Sequence, residues 1–177
     1  MQIRVRRSVA AGIAGGILVV AAVRVAGWLV ASEADLCTLG GAVLLGRIDA
    51  VGWLVGAAAQ LVIAIVAALV YALVFEWVTR RAGALIGLAI GLPHVVIAGL
   101  AMGFIPAERM LDLGIGPPGA FLEYRGGWVA ATFVLAHLAF GAIVGTWYGT
   151  TRYTDPRERQ PWREVIAEEA NAPRIGS

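Results

Sequence analysis

The chain contains two histidines, and both stand inside apolar runs. His94 falls in GLAIGLPHVVIAG (87–99), directly behind Pro93, and His137 falls in AHLAFGAIVGTWYG (136–149). An imidazole in hydrocarbon costs free energy unless it finds a partner, so an intramembrane histidine is a functional candidate. Two such rings on facing helices would ligate a b-type haem, with neighbouring glycines giving the macrocycle room. They would equally serve a quinone or proton site. A two-histidine metal site is the poorer reading, because no carboxylate or thiolate lies at their depth, so no metal is expected.

The depths agree. His94 sits eleven residues after Gly83, about 16 Å along a helix, and His137 sits nine after Trp128, about 14 Å from the other end. Gln60 lies near the same level in the second apolar run and completes a polar trio. Pro93 removes one helical hydrogen bond and crowds the preceding turn, which predicts a kink near Ala89. The preferred reading is structural: Gln60, His94 and His137 bond across helices and hold the bundle, at under about 2 kcal/mol per contact.

The elements that must position these residues follow from composition. The 177 residues are 59% hydrophobic and only 15% charged, and the charges gather at the ends and in short segments. A soluble domain would carry about a quarter charged residues. Four apolar runs, roughly 8–31, 51–75, 83–105 and 127–149, are each long enough to cross a core of ~30 Å as helices. The fold expected is therefore all-α: a polytopic membrane protein with four transmembrane helices in an antiparallel bundle. Residues 1–150 form the membrane domain and 151–177 a polar cytoplasmic tail. Within that tail PWREVIAEEAN (161–171) reads as a short amphipathic helix on the membrane surface. The N-terminal charged-then-apolar pattern is too long for a signal core and lacks a good cleavage site, so it reads as an uncleaved span.

All fourteen basic residues are arginine. Arg4, Arg6, Arg7, Arg80, Arg81 and five in the tail make ten on one side, against Arg47, Arg109 and Arg125 on the other. The positive-inside rule then places both termini in the cytoplasm of a bacterial inner membrane. Trp28, Trp53 and Trp128 fall at the outer ends of spans; Trp77, Trp147 and Tyr148 fall at the inner ends. Arg24 lies within the first span, where it snorkels outward or pairs with Glu33 or Asp35. Glu76 sits at the inner interface, within reach of Arg80 at i+4.

Glycine spacing predicts the packing. Gly83, Gly87 and Gly91 line one face of the third span, and Gly141 and Gly145 do so in the fourth, with Gly149 drifting off. Such small-residue rows bring backbones together, a glycine zipper between the two spans, with the histidines on the same faces. Gly12 and Gly16 offer a similar contact in the first span, whereas Gly99 points elsewhere. Residues 32–50 hold an apolar run too short to span, either interfacial or re-entrant.

Other motifs carry less. GIGPPG (114–119) matches the dinucleotide-binding pattern literally, but two prolines stand where the helix must begin and no strand precedes it. Nucleic acid is not expected as a partner, because the arginines flank apolar runs. Cys37 is the single cysteine, so neither an internal disulfide nor a thiolate cluster can form. No serine or cysteine is placed with a histidine, so no conventional enzyme is expected.

Four stretches resemble a group of short bacterial membrane proteins defined only as a domain of unknown function. They are the small-residue first span, WLVGAAAQLVIAIVAALVYALVF (53–75), the 87–99 stretch and the 136–149 stretch. The resemblance covers about residues 8 to 149 through Gly, Ala and His spacing. It implies four transmembrane helices and no established activity. The group's pattern carries a histidine where this chain has Gln60, a departure that weakens any site needing three imidazoles. The expected role is a non-enzymatic structural or accessory component, with lipid, other membrane subunits or further copies of itself as partners. A cofactor-binding protein holding haem b or a quinone at His94 and His137 is the alternative, and a small oligomeric channel or transporter the third.

Overall fold

The computed structural model describes residues 3–149, and every regular element among them is helical. The amphipathic helix expected over 161–171 lies outside the described residues. Four helices are long and apolar enough to cross a membrane. They are α1 (Val5–Leu29), α3 (Ala50–Val74, prolonged by a π-helical turn over Phe75–Thr79), α4 (Ala84–Gly103) and α6 (Gly127–Tyr148). Two short helices, α2 (Leu36–Leu45) and α5 (Ala107–Asp112), and a 3-10 turn (Ala120–Arg125) fill the connections. Helix α1 starts at Val5, three residues before the apolar run, because Arg6 and Arg7 are good helix formers. Helix α4 stays continuous through Pro93, whose ring is exposed on the outer surface of the bundle.

Contacts between backbones define the packing. A Cβ placed on Gly87 would overlap the Gly141 carbonyl, one on Gly141 would overlap that of Gly87, and one on Gly145 that of Gly83. Gly91 is looser, 3.4 Å from Leu138. Gly83 itself is not a seam residue in the sense expected. It caps α4 with φ of 134°, a conformation glycine adopts at no steric cost, and only its carbonyl enters the contact. Helix α1 meets α3 where Gly12 and Gly16 face Ala64 and Ala68, and meets α6 where Gly15 faces the Phe140 ring. These close approaches supply the dispersion contacts that a bilayer does not supply through a hydrophobic effect.

Gly99 packs against a different partner. It points away from the α4–α6 contact as expected, but it has a neighbour of its own: a Cβ there would overlap the ring of Phe121. Phe121 and Leu122 both adopt left-handed backbone (φ 54° and 64°), which costs roughly 1–2 kcal/mol each for residues with a side chain. The turn sets Phe121 on α4 and buries Leu122 completely, and that burial offsets the strain. A glycine at 99 is what lets the turn sit down.

Residues 30–50 enter the end of the bundle. Asp35 pairs with Arg24, which stands five residues before the end of α1, and the start of α2 is held at Gln60, ten residues into α3, from where α2 climbs back along α3. Gly40 and Gly41 press on Gly56 and Gly52, and the Cys37 carbonyl meets Gly56. Of the two readings left open, these contacts fit the re-entrant one. Asp35 caps α2 by accepting from the Cys37 and Thr38 amides at 2.9 and 3.4 Å, and Gly46 ends it in the left-handed conformation. Asp49 caps α3 and pairs with Arg47, which holds its carboxyl below the ordinary value.

This burial bears on the lone thiol. Cys37 is 1% exposed, and removal from water, reinforced by Asp35, raises it to about 11. The thiolate is the nucleophile, so at pH 8 roughly 0.1% or less of the side chain is reactive. A membrane-impermeant maleimide should therefore leave the native chain unlabelled at neutral pH, and alkylation in detergent should rise only as pH approaches 11. Rapid labelling at pH 7 would contradict this placement of α2.

Candidate functional site

The structure brings His94 and His137 together at mid-bundle, with ring centroids 5.3 Å apart and planes inclined at 75°. His94 projects from α4 three residues beyond Gly91, and His137 from α6 four before Gly141, so the faces that pack by glycine lower down carry imidazoles here. His94 Nδ1 lies 3.2 Å from the Tyr71 hydroxyl. His137 Nδ1 lies 2.8 Å from the Phe133 carbonyl. A carbonyl only accepts, so His137 donates from Nδ1, and Nε2 is the acceptor nitrogen of the neutral ring. Phe133 lies 4.2 Å from His137 and Phe140 5.4 Å from His94, between centroids.

Gln60 borders the same space but bonds elsewhere. Its amide donates to the Leu36 carbonyl at 3.4 Å, fastening α3 to the start of α2. The residue that completes the cluster is Tyr71, 2% exposed, which sequence reasoning missed. It follows Gln60 by eleven residues, just over three full turns, and therefore lies on the same face of α3. That periodicity was available as a signal, but tyrosine is also a common interfacial residue, which hides it.

The cavity bounded by Gln60, His94, His137 and Phe140 has a volume of about 40 Å³. That is room for a few waters. A haem between the two rings would have to displace Phe133 and Phe140 and separate α4 from α6 just beyond the Gly87–Gly141 contact, so a macrocycle does not fit. Among the described residues no three His, Cys, Asp or Glu side chains stand together as a metal-ligand set.

A second polar group lies at the end of the bundle shared by the start of α1 and the ends of α3 and α6. Glu76 is completely buried and accepts from the Tyr148 hydroxyl at 2.6 Å. Arg4 donates to the Tyr148 carbonyl at 3.3 Å. Tyr148, assigned from sequence to an aromatic belt, is instead fully buried against Phe75 at 5.4 Å. The π-helical turn explains the inward Glu76. One extra residue in the turn rotates the end of α3, turning Phe75 and Glu76 into the bundle while Trp77 stays 67% exposed.

At the opposite end, Arg24 pairs with Asp35 at 2.8 Å rather than simply snorkelling. Asp35 is 4% exposed and also accepts from the Trp53 indole at 3.1 Å. The GIGPPG segment forms no strand–turn–helix; Arg125 bonds the Gly116 carbonyl there.

Known proteins add no assignment. Comparison with protein families, with curated proteins and with solved structures finds no match. Functional inference therefore rests on the site's own chemistry.

Proposed function

We propose that this chain is a multi-pass protein of the bacterial cytoplasmic membrane, an antiparallel four-helix bundle with both termini in the cytoplasm, serving as a non-enzymatic structural or accessory component. Ten arginines at the terminal side against three at the other support the orientation. The observation that carries the structural role is the close packing of the helices. Backbones meet at glycines along α4 and α6, Gln60 bonds α2 and Tyr71 bonds His94 across helices, and His137 bonds a carbonyl of its own helix, around a half-open space for a few waters. The broad apolar exterior, including Leu85, Ile97 and Trp28, faces lipid or other membrane subunits.

The free Nε2 of His137 beside that small cavity favours one second reading, a proton-exchanging site. Two measurements on the purified chain separate the readings. Reconstituted into vesicles with an internal pH dye, the structural reading expects acid-driven proton entry no faster than in protein-free vesicles, and no Soret band in the visible spectrum. Proton entry that disappears in His137→Phe would replace it with the second reading. Tyr71→Phe, which removes the bond to His94, should lower stability by about 1 kcal/mol in a thermal melt. The silent Cys37 also leaves a clean background for topology. Glu123→Cys should label with impermeant maleimide in intact spheroplasts and Arg81→Cys should not; the reverse pattern would invert the orientation.

A further inference from the structure

A half-open cavity of about 370 Å³ lies between the end of α1, the re-entrant segment and the 3-10 turn. That is within the range of small-ligand sites. Arg24, Glu33, Asp35 and Arg125 all line it, two guanidiniums and two carboxylates, so its formal charge is zero. The charges are not mutually satisfied. Asp35 is committed to Arg24, Trp53 and the α2 amides. Arg125 is half-buried, bonds only the Gly116 carbonyl, and is attracted by Glu33 across the cavity without coming within ion-pair distance of any carboxylate among the described residues. Its Nε is buried without an acceptor. Glu33 is exposed and likewise has no ion pair among the described residues.

A guanidinium has five donors in a planar fork suited to phosphate or carboxylate, and this half-buried one has a single carbonyl acceptor and feels its counter-charge, Glu33, only from beyond ion-pair distance. We infer that this cavity binds a zwitterionic phosphate–ammonium group, with the phosphate at Arg125 and the outward donors of Arg24 and the ammonium at Glu33. The source we assign is the headgroup of a phosphatidylethanolamine lipid.

Charge balance favours a zwitterion over a net anion, since filling the cavity with a bare anion would leave Glu33 repelling it. The lipid source follows from position. Arg24 is about 7.5 Å inside the end of an apolar span, Trp28 at the rim is 78% exposed, and Leu39, Ile48 and Ile115 make the rest of the wall apolar. Tryptophan and arginine at such a level mark the headgroup zone of a bilayer. The serine and threonine hydroxyls of Ser32 and Thr38 add donors for phosphate oxygens. The inference requires the bundle to be membrane-embedded but does not depend on which face is cytoplasmic.

Native mass spectrometry of the full chain in detergent, titrated with phosphatidylethanolamine, phosphatidylglycerol or soluble O-phosphoethanolamine, provides the test. Wild type should retain phosphatidylethanolamine over phosphatidylglycerol by about fivefold, as one ion pair at a solvent edge would give. Glu33→Gln, at an exposed position that bonds nothing needed for folding, should abolish that preference. Arg125→Gln should weaken both lipids. Equal retention of the two lipids by wild type, a preference for phosphatidylglycerol, or an undiminished preference in Glu33→Gln would each overturn the inference. Displacement of the lipid by millimolar O-phosphoethanolamine would uphold the zwitterion chemistry and overturn the lipid source.

Discussion

Replacing Gly87 by leucine should lower the stability of the bundle by about 3 kcal/mol, at the upper end of ordinary overpacking. The reason is what stands opposite. A Cβ at 87 meets the Gly141 carbonyl oxygen and then the Gly145 Cα, at 3.1 Å, and these are backbone atoms that move only if the helices separate. Separation would forfeit the dispersion contacts along the whole of that face, and lipid does not restore them. Gly145→Leu meets the Gly83 carbonyl and should behave alike. Gly99→Leu should cost about 1 kcal/mol, because its obstacle is the Phe121 ring, a side chain that can turn aside. Unfolding in detergent by sodium dodecyl sulfate titration, followed by tryptophan fluorescence, would rank the three. Equal losses at 87 and 99 would mean that the α4–α6 contact yields as easily as one aromatic ring.

Tyr148→Phe should cost about 2 kcal/mol, from loss of a buried hydrogen bond to a carboxyl group. The 2.6 Å bond joins residues 72 apart in sequence and ties the π-helical end of α3 to the end of α6. Glu76→Gln keeps an acceptor and the shape, so it should lose less than Tyr148→Phe, and Glu76→Leu combined with Tyr148→Phe should lose less than the sum of the two single changes. The same detergent titration reads all four variants. Additive losses would show that the two side chains do not act as a pair.

Much of this protein was written in local chemistry. Four apolar runs of sufficient length dictate four spanning helices, because a backbone in hydrocarbon must satisfy its own hydrogen bonds. The i, i+4 glycines at 87, 91, 141 and 145 could be read as approach faces, since helical periodicity alone stacks them. The juxtaposition of His94 and His137 followed from the same arithmetic of depth and azimuth. Each of these is a property of one helix, or of two helices placed side by side.

What the tertiary structure alone decided concerns residues whose partners are remote or whose backbone leaves the regular path. Tyr71 became the partner of His94 only when α3 was set against α4. The haem reading depended on how closely α4 and α6 pack around Phe133 and Phe140, a separation no periodicity specifies. Glu76 and Tyr148 looked interfacial because an ideal α-helix would leave them at the rim, and one π-helical turn buried them instead. The partner of Gly99 was hidden because its contact comes from Phe121, held in left-handed backbone that sequence rules assign to glycine. The short apolar run within 32–50 can lie flat or turn inward, and the choice belongs to Gly52 and Gly56 on another helix. Periodicity fixes which face a side chain occupies on its own helix, whereas the neighbour that face meets is set by the sum of many weak contacts across the bundle.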